Sequence, residues 1–324
     1  MNEGRLQDEL RKAFDKKTPD SPKSRDREKL DQQGRRRRAV EEEKRLEAAR
    51  QEMAELRKGE GVLHAYWEQR CGMLKEEGFP VRKKDGRIDM YGRDISNIYS
   101  SQQRQEHLRT VNSVQAKKEQ GKRDWEREFP PELRSEYSDG ENFEVLSLAI
   151  FDKVLRGLCS ILHGSDYDDD KNSADLVVFD PETGEVICIF DDVANEGQRR
   201  ERKAEKLREI NQEKGGTTLT YGLAFDESNK IRITELKNIP IFYLSISPQR
   251  LKQIIKDFEP DLDRMADSEK KFFAQAYHEL QAQVIELTEE YNLNPLLQDN
   301  LKKFRARILN NSELKARVDE FDKI

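Results

Sequence analysis

The chain has 324 residues, 35% hydrophobic and 38% charged, with a formal net charge of −6. That balance supports one compact domain flanked by charged helical or unstructured segments, and excludes two large cores. Cys71, Cys159 and Cys188 lie far apart without Cys-x-x-Cys spacing, which excludes a disulfide framework and a thiolate zinc site.

No apolar run approaches the ~18 residues of a membrane span, and the start is polar from Asn2 onward. The expectation is a cytoplasmic protein with no membrane partner. Charge is uneven: residues 1–134 carry 33 Lys and Arg against 27 Asp and Glu, whereas residues 135–324 carry 26 against 38. A basic arm on an acidic body suits nucleic acid, and it suits equally well folding back on its own body.

Residues 1–39, with the run Arg35–Arg38, show no apolar period and read as a disordered charged arm. Residues 40–135 read as charged, coiled-coil-like helices. Leu46, Met53, Leu56, Leu63, Trp67 and Leu74 form a stripe interrupted at Glu60 and Arg70, and Gly59-Glu60-Gly61 suggests a kink. A short hairpin is expected from Val81 to Met90. A second polar helix follows over 96–124, and Phe129-Pro130-Pro131 marks a boundary.

Residues 136–260 read as an α/β domain. An apolar helix over 142–162 carries Glu144 on its apolar side, where the helix N-terminus would favour a carboxylate. Strands Asp175–Asp180 and Glu185–Val193 flank the turn Pro181-Glu182-Thr183-Gly184, which sets Asp180 against Glu185 and Asp175 beside Phe190 and Asp191. Acids therefore collect at the open end of the hairpin, where their burial needs metal, cations or water. A basic helix over Gly197–Lys214, a hairpin of Thr217–Phe225 with Ile231–Glu235, a strand Ile239–Ser247 and a helix Pro248–Phe258 complete the domain. Residues 261–324 read as a helical hairpin whose last helix is capped by Ser312.

This order of elements, with acids at these places, resembles the restriction-endonuclease-like PD-(D/E)XK nuclease superfamily. The resemblance covers Asp139–Phe258 and implies a mixed sheet flanked by helices. Carried over, it makes Glu144 the helix acid, Asp175 the strand acid and Asp191 the acid of the acid-x-Lys motif, together ligands for Mg²⁺ that activates water against a phosphodiester. Where the motif has Lys this chain has Val193, so Lys203 or Arg199 of the following helix is the implied substitute cation. The same region also looks like one shared by certain uncharacterised bacterial proteins, which implies no activity.

Asp166-x-Asp168-x-Asp170 fails as an EF-hand loop, because Lys171 and Val177 stand where Gly and Glu are required, and it reads as a solvated acidic loop in preference to an irregular metal-binding one. His163 reads as the C-terminal residue of the buried helix, where its charged form is favoured, in preference to a general acid beside the acidic loop. Arg199, Arg200, Lys203 and Lys206 either track phosphates or pair with neighbouring Glu residues. Two functions follow. One is a nuclease-like domain, active or degenerate, that binds nucleic acid or cleaves it with Mg²⁺. The other is an inactive scaffold whose helical arms bind a protein partner or a second copy.

Overall fold

The computed structural model describes residues 25–92, 95, 98–128, 130–194, 198–290 and 293–324. Of the expectations above, the arm over 1–24, the 96–97 start of the second polar helix, Phe129, the Gly197 start of the basic helix and residues 291–292 of the helical hairpin fall outside these residues. The architecture is mixed α/β. Helix α1 (Arg25–Glu76) leads through a loop to α2 (Ser101–Glu128) and α3 (Asp139–Leu155). Strand β1 (Ser160–His163), helix α4 (Asp166–Asn172), β2 (Leu176–Asp180) and β3 (Glu185–Val193) follow. Then come α5 (Gln198–Glu213), β4 (Thr217–Phe225), β5 (Ile231–Ile239), β6 (Ile241–Ser245), α6 (Pro248–Asp257), α7 (Asp267–Glu290), α8 (Pro295–Phe304) and α9 (Ser312–Phe321).

The central sheet runs β1-β2-β3-β6, antiparallel except for the parallel pairing of β3 with β6, while β4 and β5 form a separate antiparallel pair. Alternation and the Pro181–Gly184 turn set the β2–β3 register as expected, with Asp180 opposite Glu185 and the Asp175 N–H donating to Phe190. A bulge between Val178 and Phe179 shifts the pairing by one residue on the way. Such a bulge bends the strand and increases its twist.

Several expectations are corrected. The apolar helix stops at Leu155, not at residue 162. Arg156 leaves helical geometry and Gly157 takes a φ of 85°, which L side chains rarely adopt, so Ser160–His163 becomes a strand. Apolar residues on both sides of the break hid it, since Ile161 and Leu162 are as buried in a strand as they would be in a helix. Residues 25–39, expected to be disordered, are the opening turns of α1. Nor does Gly59 divide α1 into two helices. A side chain there would collide with the Ile255 carbonyl of α6, so glycine permits close helix packing without breaking the helix. Asn311, not Ser312, caps α9 by accepting from the Leu314 N–H at 2.9 Å.

The two interruptions of the α1 stripe are its anchors. Glu60, fully buried, accepts from Ser135 Oγ, from Asn142 Nδ2 at 2.7 Å and from the Glu136 N–H at 3.3 Å. Arg70 pairs with Asp152 of α3 at 2.9 Å and with Glu77 at 2.6 Å. The C-terminal helices dock through a third buried pair: Lys153 Nζ lies 2.8 Å from Glu269 Oε1, bonds the Glu259 carbonyl, and sits 4.2 Å from the Phe258 ring centroid. Among the described residues no helix is long and apolar enough to cross a membrane.

Removing one member of a buried pair strands the other charge. Glu269→Ala is therefore expected to cost about 3–5 kcal/mol in denaturant unfolding. Lys153→Met with Glu269→Gln should recover most of that, because Gln still accepts from the Ala266 and Glu259 N–H groups that Glu269 serves. A double variant no more stable than Glu269→Ala would show that charge burial is not the cause.

Candidate metal centre

Four elements deliver acids to the open end of β2–β3. Glu144 sits in the second turn of α3, whose start is fixed by a capping box between Ser138 and Glu141. Asp175 enters β2 and accepts the Asp192 N–H at 2.6 Å. Asp191 lies on β3 opposite Tyr243 of β6, with Asp192 beside it.

Helix α4 is the fourth of these elements. Its Asp168 is fully buried, bonded to Ser165 Oγ, to Asn172 Nδ2 and to the N–H groups of Thr220 and Tyr221 at 2.7–2.9 Å. With Asp168 turned inward, the next residue, about 100° further round the helix, faces elsewhere. That residue, Asp169, joins Glu144 and Asp175, and one carboxylate oxygen of each lies within 4.8 Å of the others. This distance is of the order of the span across one divalent cation, about 4–5 Å.

The acids are under-neutralised. Burial, opposed by Arg87 and reinforced by Asp169, pushes the Glu144 pKa up to about 7. Burial, then Glu144 and Asp191, raises Asp175 well above the usual carboxylate range. Asp192 is raised likewise, by burial and then Glu144. Both its oxygens are buried without a hydrogen bond, and the Ser147 hydroxyl facing it stays outside bonding geometry.

The cations come from two directions. Lys203 Nζ of α5 lies 2.7 Å from Asp191 Oδ1. From the N-terminal region, Arg87 reaches Glu144 Oε2 at 3.1 Å and Asp169 Oδ2 at 2.9 Å, Arg82 reaches Asp166 at 2.5 Å, and Lys118 of α2 reaches Asp170 at 3.1 Å.

Of the residues singled out in the sequence, Glu144 and Asp175 meet, and Asp191 lies next to them with Lys203 on it, but the tight triad contains Asp169 in place of Asp191. Lys206 bonds Ser173 Oγ at 3.2 Å, and the side chains of Arg199 and Arg200 lie outside those described. The expected solvated loop over Asp166–Asp170 is a helix with Asp168 in the core, because capping by Ser165 starts it. His163 is a buried β1 residue, and burial followed by Arg87 holds its pKa well below the ordinary value. It is a neutral ring, not a helix-terminal cation. The signal for Asp169 was faint: one more acid in an acidic run, selected by burial of its neighbour. Arg87 gave no signal, since its partner Glu144 is 57 residues away.

Comparison with protein-family models, with characterised proteins and with solved structures found no match to this chain. On donor chemistry the site fits a divalent cation, since three converging carboxylates are hard oxygen ligands and the acid excess leaves Asp192 unbonded.

Because folding raises the Glu144 pKa from 4.5 to about 7, the folded state binds this proton more tightly than the unfolded chain. Its contribution to stability is complete below pH 4.5 and is lost as pH rises to about 7. Glu144→Gln is expected to stabilise the protein at pH 8 by up to about 3 kcal/mol relative to wild type, with the gain shrinking toward pH 5. A pH-independent difference in urea unfolding would contradict this origin.

Proposed function

We propose that the α/β domain is nuclease-like and uses Glu144, Asp169 and Asp175 to hold Mg²⁺ for hydrolysis of nucleic-acid phosphodiesters. The observation that carries this reading is the convergence of those three carboxylates beside the Asp191–Lys203 pair. The topology supports it. A helix, three antiparallel strands, a helix and a strand parallel to the third follow the order of restriction-endonuclease-like cores, with α4 inserted between β1 and β2 and the β4–β5 hairpin inserted before β6.

A bound divalent ion would lower the pKa of a water and stabilise charge developing on the phosphate. Glu144, Asp169 and Asp175 orient and hold that ion, Asp191 holds Lys203 at the edge of the site, and Lys203 carries the positive charge that the Val193 position lacks. Lys206, with Arg199 and Arg200 on the same helix, would meet the nucleic-acid backbone. Three free, buried cysteines accord with a reducing cytoplasm.

A second reading, an inactive interaction protein, is favoured by a different observation. From Arg38 to Glu52 nearly every α1 residue is exposed, so this stretch of the helix is available to a protein partner or a second copy.

Calorimetric titration of the full chain with Mn²⁺ or Mg²⁺ separates the two. Saturable binding that is lost in Asp169→Asn/Asp175→Asn, with metal-dependent cleavage of labelled DNA or RNA lost in the same variant, is expected. Deprotonation of Glu144 should make affinity rise roughly tenfold from pH 6 to pH 8. Absence of binding at millimolar metal would leave the scaffold reading in place.

A further inference from the structure

The loop between α1 and α2 is built to deliver one side chain. Val81 pairs with Ile88, the Arg82 N–H donates to the Arg87 carbonyl at 2.8 Å, and Asp85 Oδ1 accepts the Arg87 N–H at 3.2 Å. Arg87 bridges to His163 in a parallel sense, and the Ile88 N–H donates to the His163 carbonyl at 3.3 Å. The loop is therefore stitched to the free edge of β1, and Arg87 faces the acids.

Its guanidinium approaches two of the three carboxylates of the triad, Glu144 at 3.1 Å and Asp169 at 2.9 Å, with Asp166 at 3.6 Å from Nε. A planar fork of fixed charge suits such bridging, and it places positive charge between oxygens that a metal would also bridge. A second group points at the same spot. The His163 ring is 3% exposed, and its Nδ1, without a hydrogen-bond partner, lies 4.0 Å from Glu144 Oε2.

We propose that Arg87 is an internal cation standing in the divalent-metal position, so that docking of the 81–90 loop and binding of metal by Glu144, Asp169 and Asp175 compete. This inference rests on the metal-site reading above and adds to it a regulator carried by the chain itself. The guanidinium cannot be titrated away near neutral pH, so the site opens only when the loop moves or a divalent ion outcompetes it. A metal gained at the triad displaces Arg87 into solvent and frees the loop from β1.

The test is Mn²⁺ binding by calorimetry to the full-length wild type, Arg87→Gln and Arg87→Lys. Arg87→Gln should bind at least tenfold more tightly, and any loss of thermal stability in chelator should be restored by Mn²⁺. Arg87→Lys keeps the charge but cannot bridge two carboxylates. It should fold as wild type does and also bind more tightly, and it decides the matter if Arg87→Gln fails to fold even with metal. In the wild type, Mn²⁺ should expose the bond after Arg87 to trypsin. Equal Mn²⁺ affinity in the wild type and a folded variant overturns the competition while leaving the metal site intact. No binding by any of the three proteins overturns both.

Discussion

Burial of carboxylates at one end of a small sheet is the constraint that organises this protein. Glu144, Asp169, Asp175, Asp191 and Asp192 all reach the open end of β2–β3. Two like charges about 4 Å apart repel by ~4 kcal/mol even at an effective dielectric of 20. Cations must follow the acids inward, and most do so from outside the minimal α/β core: Arg82 and Arg87 from the inter-helix loop and Lys118 from α2, while Lys203 comes from α5 within it. The N-terminal third is thus tied to the acid cluster by charge, and its basic excess has a local use. Burial first, and then neighbouring acids, still holds Glu144, Asp175 and Asp192 above the usual carboxylate range.

The long helix α1 obeys a related rule. An apolar stripe alone gives a helix something to bury but allows it to slide by a turn against a smooth surface. Glu60 and Arg70 remove that freedom, because each is buried among specific partners on or near α3 and would be stranded by any other register. Residues that spoil an amphipathic pattern in the sequence are here the ones that fix its docking. The same holds at Lys153, whose buried charge near the end of α3 marks where α7 packs.

How much of this was legible in the sequence depended on range. The β2–β3 hairpin was readable because Pro181 and Gly184 set a turn and period-2 alternation set the faces. Once its register was known, the meeting of Asp175 with the end of β3 followed. Lys203 was reachable by reasoning because α5 follows β3 directly. Strand β1 was hidden, since a short, fully buried strand after a buried helix keeps the residue types of the helix and only Gly157 marks the change. Asp169 depended on which of three adjacent acids turned inward, a choice made by the N–H groups of Thr220 and Tyr221 from another strand. Arg87 depended on a contact across 57 residues, which no local pattern encodes.

Arginine and a divalent ion are unequal answers to the same electrostatic problem. A guanidinium spreads one charge over a plane, lies between two carboxylates, and offers no position at which a water could be bound and made acidic. It therefore makes the acid cluster tolerable without making it reactive. The fold bears this compromise because the loop carrying Arg87 is hydrogen-bonded to β1 by its own backbone, so the cation is held even though Asp175 and Asp192 gain little from it. A core selected only for stability would have replaced such acids by apolar residues of similar volume, which often fold as well or better. Here five carboxylates stay at the end of the sheet, with Arg87 and Lys203 the cations that reach Glu144, Asp169 and Asp191 directly.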